Sequence, residues 1–311
     1  MKRILYTPLG WLLKALALLP LWVLYRFADV IFFLVWHVVG YRKKVVIRQL
    51  TDAYPDKTPR EIKLIARRFF RNFADYIVET VKLLHISDAE MRRRFTFSGL
   101  EAMDTLIDRD IPIMVLFSHC FNWEWAPSVT LWLKHKPGQK MQFGQVYRPL
   151  KNKWMDSLML RIRSRFNSVN YPMKQVLREL LTAKRDGIHT ATGFMSDQKP
   201  IYGDVRHVID FLNHPTPTLL GSAELASKLH MGAVYWDIRK LSRGHYHIDM
   251  IHITDDAALM TVTDLTDRYF ELLSATIDRD PAIWLWSHKR WKYPYKFAED
   301  GTPIYDSKSV R

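Results

Sequence analysis

The chain has 311 residues, which is enough for one large domain or two small ones with a substantial buried core. Lysine and arginine outnumber the acidic residues by 46 to 32, a formal charge of +14, and the 48% of hydrophobic residues excludes a disordered chain. The single cysteine, Cys120, excludes a disulfide framework and a cysteine-based zinc or iron–sulfur site. A basic, apolar chain with 11 tryptophans suggests a surface that meets anionic lipid or nucleic acid.

The first forty residues contain two apolar runs. The first, residues 4–25, is interrupted by Lys14 and Pro20, and the second covers residues 30–39. A membrane span needs about 20 apolar residues, so the first run is long enough to cross a bilayer, kinked at Pro20, if the Lys14 side chain reaches the interface. The second run is shorter and is predicted to lie in the interface or to pack on the domain.

A basic stretch follows these runs and indicates the side of the membrane on which the chain lies. Arg42, Lys43 and Lys44 are charges of the kind that mark the cytoplasmic side and attract anionic headgroups. We therefore predict a membrane-anchoring or interfacial segment over residues 1–45. The alternatives are a cleaved secretory signal, although no small-x-small cleavage site follows, and a buried helical hairpin of a soluble protein.

A long amphipathic helix is predicted over residues 58–84. Thr58 is in the position of an N-cap, Pro59 suits the first turn, and Glu61 completes a capping box. Apolar residues then recur every three or four positions and form one stripe along the helix. The arginines within residues 67–71 lie largely off this stripe, on a face that meets solvent or headgroups.

Beyond residue 95 the pattern alternates between β-like and helix-like segments. The predicted strands cover residues 111–117, 141–147, 188–195, 233–238 and 245–253. The predicted helices cover residues 123–133, 153–166, 173–184, 219–229 and 262–279. This alternation, with no glycine- or serine-rich linker, predicts one α/β domain over residues 46–311, with a largely parallel sheet flanked by helices.

One histidine and one carboxylate are suited to catalysis. The strand at residues 111–117 runs directly into His119, and Glu124 follows in the first turn of the next helix. Active groups of open α/β sheets gather at the carboxyl ends of strands, so we expect the two side chains to converge across this corner. An imidazole oriented by a carboxylate can take a proton from an attacking hydroxyl near neutral pH. The pair suits direct transfer of an acyl group to an alcohol.

Several ordered blocks resemble the bacterial lipid A biosynthesis acyltransferases, the late lauroyl and myristoyl transferases. The segment from His119 to Glu124 is similar to the His-x4-Asp/Glu motif of that family. The further blocks that resemble the family are Val146-Tyr147-Arg148-Pro149, the arginines 163 and 165, Ser196-Asp197-Gln198, and residues 284–292. One departure is Phe121, which stands where glycine is common and restricts the backbone at the corner.

This resemblance implies a glycerol-3-phosphate-acyltransferase-like α/β fold on the cytoplasmic face of a bacterial inner membrane. It implies transfer of a fatty acyl chain from acyl carrier protein or acyl-CoA to a hydroxyl of a lipid acceptor, with no cofactor and no metal. His119 is then the general base and Glu124 its orienting partner. The substrate-binding candidates that it implies are Asn122, Arg148, Arg163, Asp197 and Gln198.

Other interpretations remain open at this point. The acceptor can be a lipid A precursor, a lysophospholipid, an aminolipid or a glycolipid. Cys120 beside His119 raises the alternative of a thiol nucleophile, and the histidine-rich segment around His245 and His247 raises that of a metal site, although no third ligand completes it. A nonenzymatic protein that binds nucleic acid or anionic lipid is a further alternative, because the C-terminal aromatic block over residues 284–297 could stack on bases or rest on a membrane. The apolar N-terminus and the absence of a recognisable nucleic-acid motif favour the membrane.

Overall fold

A computed structural model describes residues 7–138, 140–200 and 205–292, and two short strands after them. The helices are α1 (Pro8–Leu18), α2 (Leu21–Phe33), α3 (Lys43–Ala53), α4 (Pro59–Lys82), α5 (Asp88–Arg94), α6 (Glu101–Asp108), α7 (Lys153–Arg163), α8 (Val176–Arg185), α9 (Gly221–Leu229) and α10 (Val262–Arg279). The strands are β1 (Phe95–Ser98), β2 (Ile113–Phe117), β3 (Met141–Tyr147), β4 (Val169–Pro172), β5 (His189–Met195), β6 (Val208–Asp210), β7 (Pro215–Pro217), β8 (Gly232–Ser242), β9 (His245–Thr254), β10 (Lys296–Phe297) and β11 (Pro303–Ile304).

The centre of the fold is a seven-stranded sheet with the order β1-β9-β8-β2-β5-β3-β4. All neighbouring strands in it are parallel except β8 and β9, which form an antiparallel hairpin. Strand β2 is central and its first four residues are buried, as expected for a parallel strand covered on both faces. The predicted α/β fold with a largely parallel sheet flanked by helices is therefore confirmed.

The elements that the sequence pattern predicted are present, with small shifts at their ends. The segment predicted as a helix over residues 123–133 is a 3-10 helix over Trp123–Leu131, which contains Pro127. A proline inside a helix removes one backbone donor and disturbs α-helical geometry. Short elements such as α5 and β1 were not predicted, because fewer than eight residues give little periodicity to read.

The N-terminal apolar region divides differently from the prediction. Pro20 separates α1 from α2, and α2 continues through a π-helical turn (Leu34–Val39) to give one apolar helix long enough to cross a bilayer. The long helix therefore follows Pro20 and includes residues of both predicted runs, while residues 4–6 lie outside the described part. Asp29 does not interrupt it, because its carboxylate is paired with Arg243 of the domain.

One side of this helix packs on the domain and the other is exposed. Residues such as Leu24, Ala28 and Phe32 are buried, and α2 packs mainly against α4. Apart from Arg26, the exposed side chains of α2 are apolar; Trp22 is 69% exposed and Val30 is 58% exposed. A helix that buries one apolar side on the domain and exposes another leaves an apolar patch of the kind that marks a contact surface for protein or membrane.

Helix α4 begins as predicted and holds the N-terminal helices. The Thr58 and Glu61 capping box is present, with the Glu61 carboxylate accepting from the Thr58 backbone N–H at 2.8 Å. At the other end of α4, the Lys82 ammonium donates to the carbonyls of Ala17 and Leu19 at 3.1 and 2.9 Å. A cation at the carboxyl end of α1 satisfies carbonyls that the helix leaves without partners.

A buried carboxylate ties α4 to α2 and to the β8–β9 hairpin. Asp75 on α4 accepts from Arg243 at 2.7 and 2.9 Å and from Lys240 at 3.3 Å, and only 1% of its side chain is exposed. Arg243 also donates to Asp29 and to the Tyr25 carbonyl on α2, at 2.7 and 3.2 Å. The apolar helix is therefore fastened to the domain by ion pairs as well as by packing.

Replacing Asp75 by Ala leaves the two cations without their buried partner. We expect Asp75→Ala to lower the free energy of unfolding by roughly 3 kcal/mol, since breaking a buried ion pair leaves an uncompensated charge. Thermal unfolding in detergent measures the effect, with Asp186→Ala, which removes an exposed ion pair with Arg185, as the control without measurable change. Equal stability of the two variants would contradict this role of Asp75.

Candidate active site

The register of two parallel strands brings two chemically active segments together. Phe117 of β2 is opposite Met195 of β5, so that His119 and Asp197 each follow two residues beyond a paired position. Both segments leave the sheet at its carboxyl edge, where parallel α/β sheets carry their sites. A histidine and an aspartate 78 residues apart in sequence are neighbours in space for this reason.

His119 is held at both ring nitrogens and at its backbone. Its Nδ1 lies 2.7 Å from Asp197 Oδ1, and its backbone N–H donates to Asp197 Oδ2 at 3.0 Å. Since the ionised aspartate only accepts, Nδ1 carries the proton, and Nε2 accepts from the Gln198 amide at 3.1 Å. The His119 side chain is 19% exposed, so the ring is fixed but reachable.

Asp197 is buried and stays ionised. Trp284 Nε1 donates to Asp197 Oδ2 at 2.9 Å, in addition to the hydrogen bonds from His119. Burial alone would raise the pKa of this carboxyl, but the charge of the His119 imidazolium and the hydrogen bonds from His119 and Trp284 outweigh burial and lower the pKa of Asp197 to about 2. An ionised carboxylate at this place fixes the tautomer of His119 and stabilises its protonated form.

Glu124, the expected partner of His119, is bound elsewhere. Arg163 holds the Glu124 carboxylate with two hydrogen bonds of 2.9 and 2.6 Å, and Trp123 and Tyr76 donate to it at 3.1 and 3.4 Å. The carboxylate is nearly fully buried in this group. The expected hydrogen bond between His119 and Glu124 is replaced by two separate pairs, His119 with Asp197 and Glu124 with Arg163.

The reason lies in the path of the chain between the two residues. Cys120 forms an antiparallel bridge with Trp284, and the Phe121 N–H donates to the Ile283 carbonyl at 2.9 Å. This bridge leads the chain away from the sheet before Glu124 is reached. The Phe121 N–H is occupied by this bond, and the Phe121 ring, wholly buried, packs on Trp123 with ring centroids 5.4 Å apart. The bulky residue in place of the common glycine is accommodated in the core.

A buried polar network holds the loop between His119 and Glu124. Asn122, also wholly buried, accepts from the Glu124 N–H at 3.1 Å and donates to Glu79 Oε2 at 2.8 Å. Glu79 in turn accepts from Tyr25 of α2 at 2.9 Å and from Tyr246 of β9 at 2.9 Å. Burial raises the pKa of Glu79.

In this network Asn122 has a structural role, and Glu79 is a member that the sequence pattern did not indicate. Asn122 was expected to bind substrate, but its contacts are with the protein, and they hold the loop. Glu79 was overlooked because it lies inside a helix whose pattern indicated only an apolar stripe. An acidic residue on the buried face of a predicted helix is the signal that could have found it, since buried charges require partners.

The two arginine candidates differ in their surroundings. The Nε and Nη2 groups of Arg163 donate to the Glu124 carboxylate, and both side chains are largely buried. The opposite charge of Glu124 therefore holds the guanidinium in place. Arg148 follows β3 directly and is exposed. Because β3 runs parallel to β5, Arg148 emerges at the same edge of the sheet as Asp197. Both arginines therefore belong to the neighbourhood of the candidate site.

The thiol and metal alternatives gain no support. Cys120 is fully buried, burial raises the pKa of its thiol, and its sulfur accepts from the Ser118 hydroxyl at 3.1 Å. A protonated, enclosed thiol is a poor nucleophile. His247 contacts Thr96 and Asp249 in an edge cluster. Within residues 7–138, 140–200 and 205–292, no group of three or more metal-ligating side chains is found.

A small apolar cavity lies under the strands near the site. It is lined by residues of β2, β3, β5 and the 3-10 helix, among them Phe117, Gly144, Gly193 and Ala126. Its volume of about 30 Å³ holds about one water-sized group. An acyl chain would have to widen this space or lie along the surface of the domain.

An α/β protein with a histidine–aspartate pair at the carboxyl edge of its sheet is a candidate group-transfer enzyme. The sequence profile described as bacterial lipid A biosynthesis acyltransferase matches residues 5–293 of the chain. The chain therefore belongs to the family of bacterial lipid A biosynthesis acyltransferases. A comparison with curated proteins gave no match.

The contacts of Asp197 generate a direct test on acyl transfer. Asp197→Asn keeps an oxygen that accepts from Trp284 but removes the charge, so the tautomer and the protonated form of His119 lose their support. We expect kcat to fall by about 10²–10⁴-fold, the range typical of such a change. Asp186→Asn, at an exposed position, is the matched control, and unchanged kcat in Asp197→Asn would contradict the assignment.

Proposed function

We propose that this protein transfers a fatty acyl chain from a thioester donor to a hydroxyl of a lipid acceptor, with His119 as the general base. The observation that carries the proposal is the His119–Asp197 pair, in which His119 Nδ1 lies 2.7 Å from Oδ1 of the buried Asp197 carboxylate. This arrangement directs the basic Nε2 away from Asp197 and toward the Gln198 amide, on a side chain that is 19% exposed. Membership of the acyltransferase family supports the same chemistry.

The reaction follows from these positions in two proton transfers. The acceptor hydroxyl takes the place of the Gln198 amide and gives its proton to Nε2 while its oxygen bonds to the thioester carbonyl carbon. The tetrahedral intermediate then breaks its carbon–sulfur bond, and the imidazolium returns the proton to the leaving thiolate. Asp197 stabilises the imidazolium between the two transfers, since its pKa of about 2 keeps it ionised.

Glu124 takes a supporting part in this proposal. Its carboxylate fixes Arg163 through Nε and Nη2, which leaves Nη1 for a phosphate of the acceptor or for the developing oxyanion. Arg148 supplies a second guanidinium at the same edge of the sheet, and Gln198 orients the attacking hydroxyl. Arg163 is bound by a buried carboxylate, so its position is set before substrate arrives.

The proposed substrates are lipid-like and anionic. A lipid A precursor is the acceptor that the family favours, and its phosphates suit the arginines of the site. Acyl carrier protein is the donor that suits a chain of formal charge +14, because its surface is acidic, and acyl-CoA is the alternative. The exposed apolar face of α2 supports membrane association, and the basic residues 42–44 that follow it support the cytoplasmic face of a bacterial inner membrane.

Binding of nucleic acid is disfavoured by the burial of the C-terminal aromatic block. Trp284 and Trp286 are 3% and 0% exposed, so their rings offer no surface on which bases could stack. Trp284 instead binds Asp197. Residues 293–295 of this aromatic block lie outside the described part of the chain.

Replacing the proposed base tests the activity. His119→Ala removes the proton acceptor, and we expect acyl transfer to fall by at least about 10³-fold with the fold and membrane attachment retained. Transfer from labelled acyl carrier protein or acyl-CoA to lipid acceptors, followed by mass spectrometry, measures it. His252→Ala changes a half-exposed histidine paired with Asp255 and serves as the control. Near-normal transfer by His119→Ala would remove the proposal.

The exposed face of α2 generates a prediction on membrane attachment. Trp22→Glu combined with Val30→Glu places two charges on this face, and we expect the protein to move from the membrane pellet to the soluble fraction. Leu181→Glu combined with Leu259→Glu is the matched control, since these residues are 46% and 83% exposed and lie on α8 and beside α9, whose main packing partners are not the N-terminal helices. Wild type should resist extraction by salt and yield to detergent. Equal behaviour of the two double variants would contradict the prediction.

A further inference from the structure

A basic cavity lies about two turns of α4 away from the candidate active site. It is lined by Trp36, His37, Lys43, Arg60, Lys63, Leu64 and Arg67 and has a volume of about 400 Å³; we call it the basic pocket. Its last residue on α4, Arg67, is nine positions before Tyr76, which contacts Glu124, so about 13 Å of helix axis separates them. The basic pocket is therefore distinct from the site around His119.

The cations of the basic pocket have no acidic partner in the described part of the chain. No ion pair joins a carboxylate of that part of the chain to Lys43, Arg60, Lys63 or Arg67. Glu61, which lies between Arg60 and Lys63 in sequence, is bound to Thr58 in the capping box. Three of the four cations follow one another on α4 at intervals of three and four residues. Like charges at this spacing destabilise a helix, so an external anion would relieve their repulsion.

On the side of the pocket opposite α4, the charged Lys43 side chain lies next to an apolar surface. The Lys43 ammonium donates to the Trp36 carbonyl at 3.3 Å and lies 4.0 Å from the centroid of the Trp36 indole. This places the cation at the carboxyl end of the apolar helix, where it is favoured. The same helix end carries exposed Val38 and Val39, which are 65% and 70% exposed. A polar pocket directly beside exposed apolar side chains matches a ligand with an anionic head and a hydrocarbon tail.

We propose that the basic pocket binds the phosphate headgroup of an anionic phospholipid while the acyl chains of that lipid lie against the outer face of α2. The inference rests on the membrane association proposed above and not on acyl transfer. Lipid is favoured over a soluble phosphate because of the apolar surface beside the pocket. It is favoured over an acidic protein because the cations of the pocket lie beside exposed apolar side chains, which suit the hydrocarbon tail of a lipid.

Native mass spectrometry of the full chain in detergent tests this proposal. Phosphatidylglycerol, phosphatidylcholine and inorganic phosphate are titrated separately into wild type and into Arg60→Gln/Lys63→Gln/Arg67→Gln. We expect wild type to bind phosphatidylglycerol at least tenfold more tightly than phosphatidylcholine. The triple variant should lose on the order of a hundredfold in phosphatidylglycerol affinity, since each cation near a headgroup contributes about fivefold.

A second triple variant controls for total charge. Lys174→Gln/Arg178→Gln/Lys184→Gln removes three exposed cations on and near α8 and should leave lipid binding unchanged. Acyl transfer in detergent should be equal in all three proteins, which separates this test from that of His119.

Three results would overturn the proposal. The first is equal phosphatidylglycerol affinity of the two triple variants. The second is displacement of the lipid by inorganic phosphate at equal concentration. The third is loss of binding to acidic acyl carrier protein, with lipid binding intact, in the variant of the basic pocket.

Discussion

The buried carboxylate of Asp197 is the group on which the candidate site depends. It accepts from the ring and the backbone of His119 and from Trp284, so one side chain joins the ends of β2 and β5 to the C-terminal segment. Removing a charged group from water costs free energy unless the group is fully paired. The donors to Asp197 belong to His119 and Trp284, two residues far apart in sequence. The same bonds that make burial acceptable also fix the imidazole in one tautomer and one orientation.

Two further buried acids extend this arrangement toward the apolar helix. Glu124 fixes Arg163, and Glu79 joins Asn122 of the loop after His119 to Tyr25 of α2. The loop after His119 is thereby held from the sheet side and from the side of the N-terminal helices. A displacement of α2 would disturb Glu79 first and the loop next, so seating of the apolar helix and the geometry of the site are physically linked.

Much of the fold could be predicted from local sequence, and the pairing within the site could not. The strand before His119 and the capping box at Thr58 depend on neighbouring residues and were predicted correctly. The partner of His119 depends on the register between β2 and β5, which are separated by more than 70 residues. Glu124 was expected as the partner because it follows closely in sequence and because the segment resembles the His-x4-Asp/Glu motif. Asp197 was recognised as a site residue, but local pattern gave no reason to bring it to the imidazole.

The N-terminal helices show the same limit. Pro20 was expected to kink a single helix, whereas it separates α1 from α2, since proline lacks the backbone donor that a helix interior needs. The continuation of α2 past its charged residues depends on Arg243, more than 200 positions away, which neutralises Asp29. The sequence pattern ended the first apolar run at residue 25 and began the second at residue 30, with the charged residues between them, although α2 continues through these positions. Long-range ion pairs of this kind are set by the fold and leave no periodic signal.

The central claim, that His119 and Asp197 act as one unit, is tested most directly by a double-mutant cycle on acyl transfer. The rates of wild type, His119→Ala, Asp197→Asn and the double variant are compared. The account predicts that Asp197→Asn adds less than about threefold to the loss in the His119→Ala background, because a partner has no effect once the imidazole is gone. An equal loss from Asp197→Asn in both backgrounds would mean that the two residues act independently and would contradict it.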